Sequence, residues 1–288
     1  MTASAPGTTA RWVDLHAHST ASDGTLSPAA MVGAAHLAGL TALALTDHDS
    51  IDGIAEAESA GRALGVEIIT GVELSAYEGS REVHILGLHL SDLAELERHL
   101  TELRSSRRTR AQRIVERLAS LGAPVSLDRV LEIAGPGAIG RPHIAQALVE
   151  GGYVKDRREA FDRFLGAGRP AFFAKQRLTI SEAVRIIHQA GGLAILAHPG
   201  PHGTRDRVHQ FILAGGDGIE VRHPGHTAED TVRLKALVDH YRLVPSGGSD
   251  CHGAMEGPRA LGGMQVPIDW LQQQATRVRE RAEKGMVA

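Results

Sequence analysis

The chain's 288 residues suffice for one large domain or two modest ones, and 42% apolar with 23% charged residues is the balance of an ordinary soluble globular protein. Aromatic residues make up only 3%, so the core has to be built from aliphatic side chains. A net charge of −3 argues against non-specific nucleic-acid binding by the whole chain. The single cysteine, Cys251, excludes an internal disulfide and any multi-cysteine metal site, and no apolar run approaches the roughly 20 residues that span a membrane.

The opening "MTASAPGTTA" (1–10) lacks a basic region followed by an apolar stretch and reads as a disordered lead-in, which leaves the cytoplasm as the default compartment. "RWVDLHAH" (11–18) reads as a strand running into a loop. A helix follows in "SPAAMVGAAHLAGL" (27–40), with Ser27 as N-cap and Pro28 at the first helical position. Then come a strand, "TALALTDHD" (41–49), a helix (50–65), and two closely spaced strands, "VEIITGVELSA" (66–76) and "REVHILGLHL" (81–90). After an interruption, helix 181–192, strand "LAILAHPG" (193–200), strand "GIEVRHP" (218–224), helix 227–241 and strand "LVPSGGSDCHG" (243–253) complete the series. Strands alternating with helices imply parallel β/α units, and seven or eight of them suggest a barrel. The interruption is helical throughout. The expected organisation is an α/β barrel over 11–98 and 170–280 with a helical insertion, or cap, over 99–169.

Sixteen histidines is a large number, and their placement is informative. His16 and His18 share one face if the segment is extended, because side chains alternate along a strand. Asp23 lies in the loop beyond, His48 ends the second strand, Glu73 lies late in the third and His84 on the fourth. His198 and His223 end two later strands, and Asp250 and His252 end the last. In a parallel barrel the C-terminal strand ends converge on one face, where barrel enzymes build their sites. Glu73 is an acid in an otherwise apolar strand and needs a charge partner or a metal. The donor set is imidazole and carboxylate without thiolate, which suits divalent manganese, iron or zinc, and there are enough donors for two or three ions. Multinuclear sites of this kind suit phosphoester hydrolysis.

The stretches "DLHAHSTASDGTLSP", "ALTDHDS", "GVELS", "HILGL", "LAHPG" and "GSDCHG" resemble the polymerase-and-histidinol-phosphatase superfamily, usually called PHP, over most of 11–98 and 170–262. The resemblance implies a distorted (β/α)7 barrel with a trinuclear centre. One metal would take His16, His18, Glu73 and Asp250; a second would share Glu73 and take His84 and His198; a third would use Asp23, His48 and His252. "GRPHIAQALVEGGYV" (140–154) resembles the cap of the subgroup holding nucleoside 3′,5′-bisphosphate phosphatases and 5′-to-3′ exoribonucleases, which implies Arg141 and His223 as phosphate or substrate contacts. An arginine also offers phosphate a bidentate fork on physical grounds alone. Lys175 in "FFAKQ" is a further candidate.

The expected activity is a metal-dependent phosphoesterase, manganese being the first choice of ion and iron or zinc the alternatives. The expected substrate is a nucleoside 3′,5′-bisphosphate or a short RNA 5′ end, with no stable nucleic-acid complex and no membrane partner. A metal-activated hydroxide would attack phosphorus, Arg141 would neutralise developing charge, and His198, His223 or a metal-bound water would protonate the leaving oxygen. Histidinol-phosphate phosphatase is the rival enzyme, and a non-catalytic nucleotide- or metal-sensing module the rival class. "GPGAIG" (135–140) matches a dinucleotide-binding pattern in letters, but a helical pattern precedes it where a strand is required, so it reads as a hinge. Alternation along the strand turns Cys251 away from Asp250 and His252 and into the core.

Overall fold

The computed structural model describes residues 11–135, 139–174 and 177–285. The expected lead-in at 1–10, Lys175 and the centre of the expected 135–140 hinge lie outside the described residues. The described residues fall into two compact units, one within Met1–Glu97 and Leu178–Ala288 and the other within Arg98–Arg177.

The first unit is a barrel. Strands β1 (Trp12–Asp14), β2 (Ala42–Leu45) and β3 (Glu67–Glu78) pair in parallel, and β3 turns directly into the antiparallel β4 (Arg81–Leu88). After the short β5 (Leu178–Thr179), which pairs with the end of β3, the strands β6 (Leu193–Leu196), β7 (Gly218–Arg222) and β8 (Val244–Gly247) follow in parallel, β6 lying antiparallel against β4. Beyond their ends β1 and β8 continue side by side. The N–H of Leu15 donates to Gly247 O at 3.1 Å, Asp250 N–H to His16 O at 2.9 Å, and His18 N–H to Cys251 O at 2.9 Å. These bonds close a ring of seven strands, β1-β2-β3-β4-β6-β7-β8. A short β9 (Val266–Pro267) pairs antiparallel with β1 outside it.

The uniform parallel run expected from the β/α alternation is therefore broken once, at β4. Two residues separate β3 from β4, and a parallel crossover needs a dozen or more, so the connection has to be a hairpin. This reversal matters for the site. It brings the start of β4, where His84 lies, to the same rim as the ends of the other strands.

Helices α1 (Pro28–Leu37) and α2 (Ile54–Leu64) cover β2. Leu43 and Leu45 pack with Met31, Val32, Ile54 and Ala57, while Ala42 and Ala44 on the opposite face join a cluster with Val13, Ile69, Leu86 and Ile195. Ser27 caps α1, its hydroxyl accepting from Ala30 N–H at 3.2 Å with Pro28 next in line. Helix α3 (Leu93–Ser120) leads into the second unit, where α4 (Leu127–Ala134), α5 (Arg141–Glu150), α6 (Arg157–Ala160) and a π-helical turn (Phe161–Leu165) share a core of Ile114, Leu118, Val130, Ile144, Leu148 and Leu165. Back in the barrel unit, α7 (Ile180–Gln189), α8 (Arg205–Leu213), α9 (Ala228–Tyr241) and α10 (Ile268–Gly285) complete the chain. No described helix is long and apolar enough to cross a membrane.

Candidate metal centre

The barrel rim gathers seven strand ends, and of the nine residues expected as ligands all but Asp23 are either Glu73 and Asp250 themselves or lie within 3.6 Å of one of those two. Glu73, 1% exposed at the middle of β3, is the hub. Its Oε2 lies 3.3 Å from His16 Nε2, 3.3 Å from His18 Nε2 and 3.2 Å from His48 Nδ1, and its Oε1 lies 2.9 Å from His84 Nδ1 and 3.0 Å from His198 Nε2. Asp250 Oδ1 lies 3.3 Å from His18 Nε2 and 3.5 Å from His16 Nε2. Asp23 sits at the outer edge, 3.3 Å from His252 Nε2 and 3.9 Å from His18 Nδ1 and His48 Nε2. Single donor atoms fall within 4.8 Å of one another in four overlapping groups: His18, Asp23, His48 and His252; His16, His18 and Asp250; His16, Glu73 and His198; His48, Glu73 and His84.

Local structure sets each side chain. His16 and His18, both fully buried, point the same way because the backbone beyond β1 stays extended against β8, and their Nε2 atoms are 3.1 Å apart. The strands approach closely there: a Cβ on Gly248 would stand 2.5 Å from His16 N and Cβ, so only glycine fits. Asp14 ties the same junction, accepting N–H bonds from Ser249 and Gly262 at 2.9 Å each. Buried Asp47 accepts from Ser19 N–H and Ser19 Oγ, both at 2.7 Å, and from Ser22 Oγ at 2.6 Å, which fixes the loop carrying Asp23. His198 and Asp250 adopt φ of 27° and 51°, a left-handed backbone uncommon outside glycine and one that clusters at functional sites.

The electrostatics follow from this crowding. Burial works against charge on Glu73, but His16 and the bonds from His16, His18 and His198 more than offset it and hold the carboxyl well below its ordinary range. Asp250 is likewise lowered despite burial, by His18, His223, His16 and Arg259. Burial opposes charge on His16 too, yet Glu220 and Glu73 raise it well above the ordinary histidine value; His18 and His84 are raised for the same kind of reason. At His48 burial prevails and lowers it.

The donors fit a divalent ion. Two buried imidazole nitrogens of the cluster, His18 Nδ1 and His84 Nδ1, have no hydrogen-bond partner; the 2.9 Å approach of His84 Nδ1 to Glu73 lacks hydrogen-bond geometry. Leaving a buried polar atom unmatched costs about 1–3 kcal/mol, and a cation among these nitrogens and carboxylates removes that cost.

His223, 5% exposed, closes the inner edge. Its Nδ1 accepts the Gly225 N–H at 2.9 Å, so the ring proton sits on Nε2, 3.4 Å from Asp250 Oδ2. Arg141 belongs to the second unit, where its Nη1 donates to Leu165 O at 2.9 Å and its guanidinium lies over the rings of Phe172 and Phe161. Cys251 is 1% exposed, and burial pushes its thiol up, as for an inert core cysteine.

Two neighbours of the cluster escaped the sequence reading. Arg259 donates from Nη1 to Asp250 Oδ2 at 2.8 Å from a loop with no regular pattern to announce it. Glu220, fully buried on β7, bonds His16 and His198; it carries the signal that singled out Glu73, an acid inside an apolar strand. Beside His84 and His198 opens a cavity of about 340 Å³ lined by Tyr77, Arg81, Leu196, Arg207 and Phe211 among others.

Known proteins share both sequence and fold with this chain. The family model described as PHP domain matches residues 14–167. A 5′-3′ exoribonuclease of Haemophilus influenzae is 39% identical over 245 residues, 83% of this chain and 89% of that protein. A 3′,5′-nucleoside bisphosphate phosphatase of Chromobacterium violaceum is 38% identical over 258 residues, 87% of this chain and 90% of that one. A solved structure from Bifidobacterium adolescentis, of a proposed metal-dependent phosphoesterase, superposes with a TM-score of 0.69 at 31% identity, covering 93% of this chain and 97% of that one. The rim of histidines and acids thus stands on a scaffold whose relatives match nearly end to end, and the chain belongs to the PHP family.

Proposed function

We propose that this protein is a metal-dependent phosphoesterase that takes the 3′-phosphate from nucleoside 3′,5′-bisphosphates, with short RNA 5′ ends as a second substrate of the same site. Phosphoric ester hydrolysis is the chemistry of its family. The observation that carries the metal reading is Glu73, a single buried carboxylate within 3.3 Å of five imidazoles, while the bisphosphate is supported by the similarity to the Chromobacterium violaceum phosphatase. His16, His18, Asp23, His48, Glu73, His84, His198, Asp250 and His252 would hold two or three divalent ions, manganese first among them. When bound, such ions activate water and neutralise phosphate oxygens.

The remaining work falls to side chains. His223 presents an Nε2–H at the inner edge and is the group placed to protonate the leaving oxygen; His198 has its Nε2 turned to Glu73 at 3.0 Å and is engaged in the cluster. Arg259 reaches the same edge and offers a guanidinium to a phosphate oxygen. Arg141, fixed at the start of α5 by Leu165 O and two aromatic rings, is the second candidate phosphate contact. The cavity beside His84 and His198 gives room for the nucleoside.

The decisive assay supplies Mn²⁺ and measures phosphate release from adenosine 3′,5′-bisphosphate, a short 5′-phosphorylated RNA and histidinol phosphate in parallel. Release from the bisphosphate is expected to dominate; release from histidinol phosphate alone overturns the substrate assignment and keeps the family chemistry. His223→Asn is expected to lower kcat about 10²-fold, the low end of what a general acid contributes, while bound manganese stays unchanged. A parallel loss of manganese would make His223 a ligand instead.

Proton release is expected as well. His16, His18 and His84 have raised pKa values in the metal-free protein, and imidazole must lose its proton to bind a metal. Protons therefore compete already above the ordinary histidine value of about 6.5, and manganese affinity should drop steadily as pH falls from about 8 towards it. Calorimetry in buffers of different ionisation enthalpy reads the protons released; an affinity flat across that window would contradict the ligand set.

A further inference from the structure

Glu220 stands inside β7 with no solvent exposure, and both of its oxygens are engaged by residues of the metal centre. Oε1 lies 3.1 Å from His16 Nδ1, and Oε2 accepts the backbone N–H of His198 at 2.7 Å. A carboxylate can only accept, so the proton between Glu220 and His16 belongs to Nδ1. His16 Nε2 is then the atom that faces the cluster, 3.1 Å from His18 Nε2 and 3.3 Å from Glu73 Oε2. The second bond holds His198 where its backbone is strained, at φ 27°, and where its Nε2 meets Glu73 Oε1 at 3.0 Å.

The geometry points to Glu220 as a positioning residue of the metal centre: it fixes His16 in the tautomer that leaves Nε2 free for a cation, and it pins the backbone from which His198 enters the cluster. This rests on the metal reading of the preceding section. The role needs a carboxylate rather than a polar side chain of that size. Both groups that Glu220 engages are donors, and a glutamine amide offers one acceptor and one donor. If the amide oxygen keeps the His198 N–H, its NH₂ faces His16, which then has to carry its proton on Nε2, in the place of the metal. A role in packing alone would survive the exchange, because glutamine has the shape of glutamate. Groups that orient metal-bound histidines through their other nitrogen are worth about 10–100-fold in metal affinity.

The test compares wild type with Glu220→Gln. In the wild-type protein loaded with diamagnetic Zn²⁺, nitrogen-15 histidine NMR is expected to place the His16 proton on Nδ1, the signal being assigned by its loss in His16→Asn. The Glu220→Gln protein is expected to keep the wild-type circular dichroism spectrum and to bind Mn²⁺ about 10–100-fold more weakly in a calorimetric titration. Wild-type Mn²⁺ affinity in that variant, or a His16 proton on Nε2 in the wild type, overturns the assignment. Should the variant fail to fold, the wild-type NMR result decides alone. A wild-type protein that binds no Mn²⁺ at all would instead remove the metal reading itself, a different result from a metal-binding wild type matched by its variant.

Discussion

Glu73→Gln is expected to reduce kcat/KM by about 10³-fold or more at saturating manganese, with the fold retained. Metal ions lend a phosphoryl transition state several kcal/mol of charge stabilisation, and each 1.36 kcal/mol is a factor of ten. The substitution keeps the shape of a side chain that is 1% exposed but removes a negative charge that all five inner imidazoles share within 3.3 Å. His16, His18, His48, His84 and His198 would then face an amide in which just one of the two terminal atoms accepts. Bound manganese, measured by mass spectrometry after gel filtration, should fall with the activity. Activity within tenfold of wild type would mean that Glu73 organises histidines and no metal.

The largest expected loss of stability lies far from that rim. Asp217, 5% exposed just before β7, accepts from His188 Nε2 at 2.8 Å, from Ala194 N–H at 2.9 Å and from Arg281 Nη1 at 2.6 Å. It joins α7, β6 and the C-terminal helix α10 through one carboxylate. Burial alone would raise its pKa, but these partners outweigh burial and lower it. Asp217→Ala leaves a buried N–H, an imidazole nitrogen and a guanidinium without their acceptor. The cost should be about 3 kcal/mol, the lower end of the range for breaking a buried pair because Arg281 is partly solvated. Tm should fall by roughly 6–12 °C. The sign of the pH dependence follows from the lowered pKa. The contribution is complete above the ordinary aspartate value of about 3.9 and is lost as pH falls through the folded-state value below it, so the gap between the two proteins should close only in that acid window. A gap that widens on acidification would show that the carboxyl is raised in the native state.

Much of this was legible in the sequence, for identifiable reasons. The H-x-H spacing of His16 and His18 works because the chain beyond β1 stays extended against β8, and an alternating backbone sends both rings to one side. Ser27 and Pro28 announced α1 because cap chemistry is local. The reversed β4 was legible in principle: the four residues between the strands read at 66–76 and 81–90 are too few for a crossover, yet the surrounding alternation outweighed that count. Glu220 and Asp14 each carry the signal that singled out Glu73, an acid in an apolar strand, but only the fold shows that Glu220 bonds two strands' histidines and Asp14 three backbone segments. Arg259 gave no signal, since an arginine in an irregular loop could face anywhere.

The bonds that close the ring join the two most distant parts of the barrel. Leu15 meets Gly247, and Asp14 meets Ser249 and Gly262, across separations as large as 248 residues. The β3–β4 hairpin, by contrast, pairs residues as near as Glu78 and Arg81. Loop closure carries an entropic cost that grows with length, so the hairpin can form early while the β1–β8 seam waits for nearly the whole chain. On a ribosome, His16 and His18 would emerge first and stand idle until Asp250 and His252 followed them out. Completing the cluster and completing the fold are then one kinetic event, and a nascent or truncated chain that stops short of the last barrel strand holds most of the donors yet none of the finished centre.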